Sequence, residues 1–557
     1  MKNRIRLALA QINCTVGDLG GNVRKITEYL EKAESLGADI VSFPELAVTG
    51  YPPEDLLLKP SFIEDNIAAL DKVAKSVGNM VAVIGFVDRK KSDIYNAAAI
   101  IYKGKVAGVC YKMSLPNYGV FDEFRYFKAA PSQSIFRLGN IIIGANICED
   151  IWHKEGSVAM HAAKGADLIL NISSSPYYMG KIDKREEMVR YQAKANKVFV
   201  SYTNMVGGQD ELVFDGQSMI VDNKGKVIAR AAAFKEDFLV ADVDIPAVKG
   251  RSTKTITISG SIPASGKPEI PSHEVKESGP VAQVYEALLL GLKDYVRKNG
   301  FKEVVIGLSG GIDSSIVAAL AVDAIGKNNI VGVFMPTRYS SEASEKDARE
   351  LANRLGIRFM TIPIEQLFKL YMMALDSKFS GSGRDKTEEN LQARIRGNML
   401  MALSNKFGWM VLTTGNKSEM STGYATLYGD MAGGFAVIKD VPKTLVYKLA
   451  KYRNGVSDVI PVDVLTKEPT AELRHNQKDS DTLPPYDMLD KILKAYIEED
   501  KSSSDIVKTG FGKDMVAKVV GMVDNSEYKR RQSPPGIKIT PKAFGRDRRM
   551  PITNKYR

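Results

Sequence analysis

Apolar and polar positions along the chain fall into two successive stretches of alternating strand-like and helix-like segments, separated by a stretch with neither period. In the first, LALAQI (Leu7 to Ile12) reads as a buried strand, and Ile26, Tyr29, Leu30 and Ala33 recur at helical spacing within 23–36. Short apolar runs follow at 40–43, 81–87, 97–102, 141–145, 168–172, 198–203 and 218–221, and DFLVADVDI closes the series near Ile245. Residues 246–279 are rich in Pro, Gly, Ser and Thr and carry little apolar periodicity, which predicts a linker. Beyond it, Val284, Leu288, Leu292 and Val296 mark one face of a helix starting at Pro280. Strands are then predicted at 304–306, 330–335, 358–362 and 409–413, alternating with helices at 314–325, 341–355 and 388–405. The pattern predicts two α/β domains, 1–245 and 280–557, the second a doubly wound parallel sheet.

Composition changes this picture little. A chain of 557 residues exceeds one ordinary core. No run approaches the roughly 18 apolar residues of a membrane span, and the apolar part of MKNRIRLALAQINCTVG is too short for a secretory signal, so a cytoplasmic protein with no membrane partner is expected. The cysteines, Cys14, Cys110 and Cys148, are too few and too scattered for a disulfide framework or a metal site. Charge is informative through its distribution. The formal net charge is +11, and residues 529–557 alone carry ten Lys/Arg against one acid, Asp547. The remainder is nearly balanced, which argues against a nucleic-acid face. Two readings of the tail stay open: a solvated basic extension, or a segment folded over an acidic neighbour or a polyphosphate. Pro534, Pro535, Phe544 and Pro551 favour a defined path.

Candidate chemistry is densest in EVVIGLSGGIDSS, residues 303–315. A strand breaks into Gly307, Ser309, Gly310 and Gly311, and a helical pattern begins at Ser314. Glycines let backbone approach an anion, and free N–H groups at the helix start, with the hydroxyls of Ser309, Ser314 and Ser315, supply donors. No Lys follows the glycines as in a Walker loop, and Asp313 lies inside the turn, which points to a bridging Mg²⁺. This SGGxDS turn resembles the pyrophosphate-binding loop of the ATP pyrophosphatase superfamily. The resemblance implies cleavage of ATP between its α and β phosphates to form an adenylate. By itself it leaves asparagine, GMP, argininosuccinate and NAD synthesis, and tRNA thiolation, open.

In the first half, Glu45 follows one predicted strand end, Lys112 lies in the loop after another, and Cys148 follows a third. A thiol needs a base to become a thiolate, a carboxylate serves as that base, and an ammonium stabilises a tetrahedral oxyanion. FPELAVTGY, YKMSLPNYGVFDE and NICEDIW resemble the three signature blocks of the nitrilase (carbon–nitrogen hydrolase) superfamily over about residues 1–245. That likeness implies an α-β-β-α sandwich, with Cys148 as nucleophile, Glu45 as general base and Lys112 as oxyanion stabiliser. It further implies a glutamine pocket involving Tyr118, Glu123, Glu149, Ser174, Ser175 and Arg185. The four histidines, His153, His161, His273 and His475, form no Cys–His dyad pattern, which argues against a class I glutaminase.

Three later blocks, TTGNKSEMSTGYATLYGDMAGGFAVIKDVPKT, LTKEPTAELRHNQKDSDTLPPYD and SPPGIKITPKAFGRDRRMPI, extend the likeness. Nearly the whole chain resembles the family of glutamine-dependent NAD⁺ synthetases. The resemblance implies that ATP adenylates the nicotinate carboxylate of deamido-NAD⁺ and that ammonia from glutamine displaces AMP. It assigns ATP to Ser309, Gly310, Gly311, Ile312, Asp313, Ser314, Ser315, Thr414 and Lys443. Deamido-NAD⁺ falls to Asn390, Arg394, Glu419, Asp440 and Lys467, and Mg²⁺ to Asp313 and Glu419. No tightly bound organic cofactor is implied; the partners are glutamine, ATP and deamido-NAD⁺, with a homo-oligomer and no nucleic acid. Ammonia protonates and escapes in water, so a protected path between the two chemistries is expected. Alternative readings are another SGGxDS amidotransferase or a nucleotide-binding tRNA-modifying protein. Asparagine synthetase needs an N-terminal Cys where this chain begins Met1–Lys2, and GMP synthetase pairs its loop with a Cys–His–Glu domain.

Overall fold

The β-branched runs of the first half pair into two mixed sheets in a computed structural model of the chain, which describes residues 2–246, 254–262, 266–275 and 277–556. The chain divides into two units, 1–209 with 213–277, and 278–557 with 210–212.

In the first unit one sheet runs, edge to edge, Asp237–Pro246, Lys2–Gln11, Ile40–Ser42, Val81–Lys90, Asp93–Tyr102 and Lys105–Tyr111. The other runs Val227–Arg230, Met219–Val221, Phe199–Asn204, Leu168–Ser173, Ile141–Ile147, Ile135–Leu138 and Ile256–Ser259. A strand's period of two sends alternate side chains to opposite faces. Ile5, Leu7 and Leu9 therefore meet Ile143, Ala145, Ile147, Leu168 and Leu170 between the sheets. Ala8 and Ala10 face outward, where Ile26, Tyr29 and Leu30 of helix Leu19–Ser35 and Leu70 and Val73 of helix Pro60–Lys75 cover them. Val158 of helix Ser157–Ala163 and Val189 and Ala193 of helix Lys181–Asn196 cover the second sheet's outer face. The result is a helix–sheet–sheet–helix sandwich, with both sheets buried on both faces.

The expected linker needs correction. Ile256–Ser259 pairs in parallel with Ile135–Leu138 and forms an edge of the second sheet. An alternating Ile-Thr-Ile-Ser run is enough for an edge strand, whose outer groups stay solvated. Residues 247–253, 263–265 and 276 of that segment lie outside the described residues.

In the second unit the sheet order is Arg358–Thr361, Ile330–Phe334, Val304–Gly307, Met410–Thr413, Phe435–Ala436, with every pairing parallel. The order reverses at Val304–Gly307, so a crevice opens at its carboxyl end, where open α/β sheets bind ligands. Helix Ile312–Ile325 starts two residues earlier than its pattern suggests and packs on helices Pro280–Lys298 and Lys443–Val456. Helix Glu365–Phe379 has no counterpart in the periodicity reading, because its apolar residues are mostly exposed. The tail is not a solvated extension: Ile537, Ile539 and Thr540 are fully buried. Among the described residues, no helix is long and apolar enough to cross a membrane.

Candidate active sites

The strand Ile141–Ile147, buried throughout, delivers Cys148 into a left-handed turn (φ 45°) that opens a short 3₁₀ helix, Cys148–Ile151. A non-glycine residue in that region costs on the order of 1–3 kcal/mol and is retained where the surroundings over-determine it. The turn aims a thiol from the strand end, as a nucleophile requires. Glu45 arrives from the turn after Ile40–Ser42 and Lys112 from the residue after Lys105–Tyr111. Lys112 Nζ lies 2.7 Å from Glu45 Oε1 and 2.8 Å from Glu123 Oε1. All four groups are within 5 % of complete burial.

Glu45 is held by more than the lysine. Asn96 Nδ2 donates to its Oε1 at 2.7 Å, and the Ser174 backbone N–H donates to its Oε2 at 2.9 Å. Tyr51 donates its hydroxyl to Glu123 Oε1 at 2.9 Å. Burial pushes the Glu123 carboxyl up to about 7, against the pull of Lys112. Burial works against the Lys112 ammonium, but Glu123 and Glu45 outweigh it and hold its pKa above the ordinary value. The Cys148 thiol is pushed up by burial and then by Glu45, with Lys112 opposing. A thiol so raised needs a neighbouring base to ionise, and the Glu45 carboxylate and Lys112 ammonium are the charged groups of the same buried cluster.

The outer residues divide. Tyr118 donates to Glu149 at 3.0 Å beside Cys148, as a substrate-facing pair would. Ser174 serves Glu45 itself, its hydroxyl donating to the Glu45 carbonyl at 3.0 Å, and the Ser175 N–H is spent on Asn204 Oδ1 at 2.9 Å. Arg185 is fully buried and doubly paired with Asp215, which offsets its charge. One helical turn earlier, Lys181 lies 3.9 Å over the Trp152 ring, and burial lowers its pKa to about 8. Nothing local in the sequence marks it, since a Lys opening a helix looks like any solvated one.

In the second unit a cavity of about 440 Å³ opens at the carboxyl end of Val304–Gly307. Ser309, Gly310, Gly311, Ile312, Asp313 and Ser314 form one wall. Gly310 has φ +76°, and a Cβ there would fall 2.3 Å from the Ser344 carbonyl oxygen, so only glycine fits. Helix Ile312–Ile325 has no side-chain cap, leaving its first N–H groups for an anion. Opposite, Asn416 caps helix Lys417–Thr422 through the Glu419 N–H at 3.0 Å and donates Nδ2 to Asp313 Oδ1 at 3.0 Å. Lys443 forms an ion pair with Asp313 and lies 3.6 Å from Glu419 Oε1. Burial, then the neighbouring Asp313, raises the Glu419 carboxyl to about 8. Asp313 and Glu419 offer the carboxylate oxygens that a hard divalent cation takes.

Thr414, Asn390 and Lys467 also line the cavity, Lys467 donating to Ser344 Oγ at 2.5 Å. Three expected residues do not line it. Ser315 turns its hydroxyl back to the Gly311 carbonyl at 2.8 Å. Arg394 is exposed and donates to the Leu427 carbonyl at 3.2 Å. Asp440 is buried beneath the tail, accepting from the Ile539 and Thr540 N–H groups at 2.8 and 2.7 Å. Conversely Lys529, taken with the basic tail, lines the cavity while donating to the Gly423 carbonyl at 2.8 Å. Arg396 lines it as well, with burial lowering its pKa to about 10.

Comparison with known proteins matches both halves. Residues 6–251 fit the carbon–nitrogen hydrolase family and residues 284–533 the NAD synthase family. The chain is 48 % identical over 576 residues to the glutamine-dependent NAD(+) synthetase of Thermotoga maritima, covering 100 % of this chain and 99 % of that one. It is 46 % identical over 575 residues to that of Aquifex aeolicus, covering 99 % and 100 %. Among solved structures, glutamine-dependent NAD⁺ synthetase from Acinetobacter baumannii in complex with ADP aligns with a TM-score of 0.76 at 42 % identity, covering 99 % of each chain. A nitrilase-type sandwich bearing Cys148, Glu45 and Lys112, fused to a doubly wound sheet bearing the SGGxDS loop, and matched along its full length, belongs to the glutamine-dependent NAD(+) synthetase family.

Proposed function

We propose that the chain makes NAD⁺ from deamido-NAD⁺, with ATP activating the carboxylate and glutamine supplying nitrogen. The observation that carries the reading is the coexistence, in one chain, of a buried thiol–carboxylate–ammonium cluster and a cation-ready phosphate loop. In the first unit the Cys148 thiol gives its proton to Glu45 as Sγ attacks the carboxamide carbon, and Lys112 stabilises the oxyanion. The protonated base then delivers that proton to the departing ammonia, and water hydrolyses the thioester to glutamate.

In the second unit the N–H groups at the start of helix Ile312–Ile325 and the Ser309 and Ser314 hydroxyls hold the polyphosphate, with Lys443 and Lys467 offsetting its charge. Asp313 and Glu419 would hold Mg²⁺, which when bound neutralises charge on the phosphates being separated. The deamido-NAD⁺ carboxylate attacks the α-phosphorus, pyrophosphate leaves, and ammonia displaces AMP from the adenylate.

The test is incubation with ATP, deamido-NAD⁺ and either glutamine or an ammonium salt, assaying AMP and NAD⁺. Cys148→Ala is expected to abolish NAD⁺ formation from glutamine and to leave formation from ammonium within about twofold. Absence of AMP from the unaltered protein would overturn the reading.

A further inference from the structure

Among the contacts that bind the C-terminal tail into the second unit is a buried polar knot whose residues do not line the cavity. At its centre, the Asp440 carboxylate accepts the Ile539 N–H at 2.8 Å, the Thr540 N–H at 2.7 Å and the Thr540 hydroxyl at 2.8 Å. It also pairs with Lys417 Nζ at 3.0 Å. Lys417 in turn donates to Thr540 Oγ1 at 2.6 Å, Glu498 Oε1 at 2.7 Å and the Lys542 carbonyl at 3.1 Å. Thr540 is fully buried and Asp440 and Lys417 nearly so.

Both ends of this knot lead to Asp313. Lys417 directly follows Asn416, whose side chain donates to Asp313, and the Lys417 N–H is fixed by the Val441 carbonyl at 2.9 Å. Asp440 lies three residues before Lys443, which pairs with the same carboxylate. A buried ion pair with every lone pair and proton satisfied holds one geometry, whereas one that loses a partner leaves a costly unpaired group. Thr540 is where one tail residue bonds to both Asp440 and Lys417, on the segments carrying Lys443 and Asn416.

We propose that Thr540, through Asp440 and Lys417, is a positioning residue of the ATP site, so that the tail sets the placement of Lys443 and Asn416 against Asp313. The inference rests on the reading of Asp313 and Lys443 as phosphate and cation groups. Thr540→Val keeps the shape and both backbone N–H bonds but removes the hydroxyl that donates to Asp440 and accepts from Lys417. Thr540→Ser restores it.

The experiment measures ammonium-supported AMP formation in the full chain for Thr540→Val, Thr540→Ser, Lys443→Met and the Thr540→Val/Lys443→Met double variant, with glutamine hydrolysis and thermal midpoint alongside. Thr540→Val is expected to lower kcat/KM for ATP about tenfold, with glutamine hydrolysis unchanged. Thr540→Ser is expected to return within about twofold of the parent. In the Lys443→Met background, Thr540→Val is expected to have little further effect, because residues acting as a unit are non-additive. Full additivity, or equal losses in Val and Ser variants, would overturn the proposal. If Lys443→Met itself leaves AMP formation intact, the reading of the ATP site fails instead. A Thr540→Val loss that tracks only a lowered thermal midpoint assigns the knot to stability and also overturns the proposal.

Discussion

At Gly85, in the middle of strand Val81–Lys90, a single methyl group would strike the backbone of the Pro44–Leu46 turn that carries Glu45. A Cβ built there lies 2.3 Å from Leu46 N, 2.4 Å from the Pro44 carbonyl oxygen and 2.8 Å from the Glu45 carbonyl carbon. Ordinary contacts begin near 3.4 Å, so Gly85→Ala forces the Pro44–Leu46 turn outward by about 1 Å. That turn is further tied down by the Val48 N–H donating to the Gly85 carbonyl at 3.1 Å, so it cannot swing freely. Overpacking of this kind costs about 1–3 kcal/mol of stability. The larger effect is on geometry: the Glu45 carboxylate is held by Asn96, Lys112 and the Ser174 N–H at once, and a displacement near 1 Å is worth about 100-fold in rate, or about 2.7 kcal/mol of barrier. Glutamine hydrolysis by Gly85→Ala, followed by glutamate release, is expected to lose about 100-fold in kcat. Ammonium-supported NAD⁺ formation, which needs only the second unit's chemistry, is expected to stay within about twofold. A variant keeping more than half of the parent's glutamine hydrolysis would refute the argument that this glycine sets the position of the base.

Two further predictions concern the first unit. Asp150 is fully buried and accepts from the Met113 N–H (3.0 Å), the Ser114 N–H (2.7 Å), Gln133 Nε2 (2.8 Å) and the Ile147 N–H (3.1 Å), joining the Cys148 turn to the Lys112 loop. Asp150→Asn turns an amide donor onto two of these donors, at about 1–3 kcal/mol for each group left unsatisfied; steady-state assays are expected to show glutamine kcat down at least tenfold with KM changed far less, and an equal rise in KM would refute a positioning role. His161 is buried against Gly144, neither ring nitrogen has a hydrogen-bond partner, and burial lowers its pKa to about 4. Because the unfolded chain binds the proton more readily, stability is full above about pH 6.5 and falls as pH drops toward 4, by about 2 kcal/mol between pH 7 and 5. Urea titrations are expected to show a shallower acid loss for His161→Gln than for the parent, and parallel curves would refute it.

Much of this protein was legible in its one-dimensional pattern. Cys148 directly follows an apolar strand, Glu45 comes three residues after another, and the glycine turn after Val304–Gly307 was unmistakable, because these signals are local: a period of two, a loss of period, and residues with known backbone freedom; the half-exposed strand Lys105–Tyr111 that delivers Lys112 gave no such signal. The pairs that a local reading could not separate are equally specific. Lys181 and Arg185 lie one turn apart on a helix, yet Arg185 pairs with Asp215, 30 residues on, whereas Lys181 stands over the Trp152 ring. Asp440 and Lys443 lie three residues apart in a segment without period, where nothing local says which faces the cavity. The tail closes over Asp440 and Lys443 is left to Asp313, an outcome decided by contacts across about 100 residues of chain. Backbone propensity and apolar periodicity act between neighbours, and so the sequence by itself determined the elements and the chemistry they bear. Desolvated charges take whichever partner the packed fold brings within hydrogen-bonding distance, and so only the tertiary structure decided which charged groups are spent on holding the protein together and which remain for the substrate.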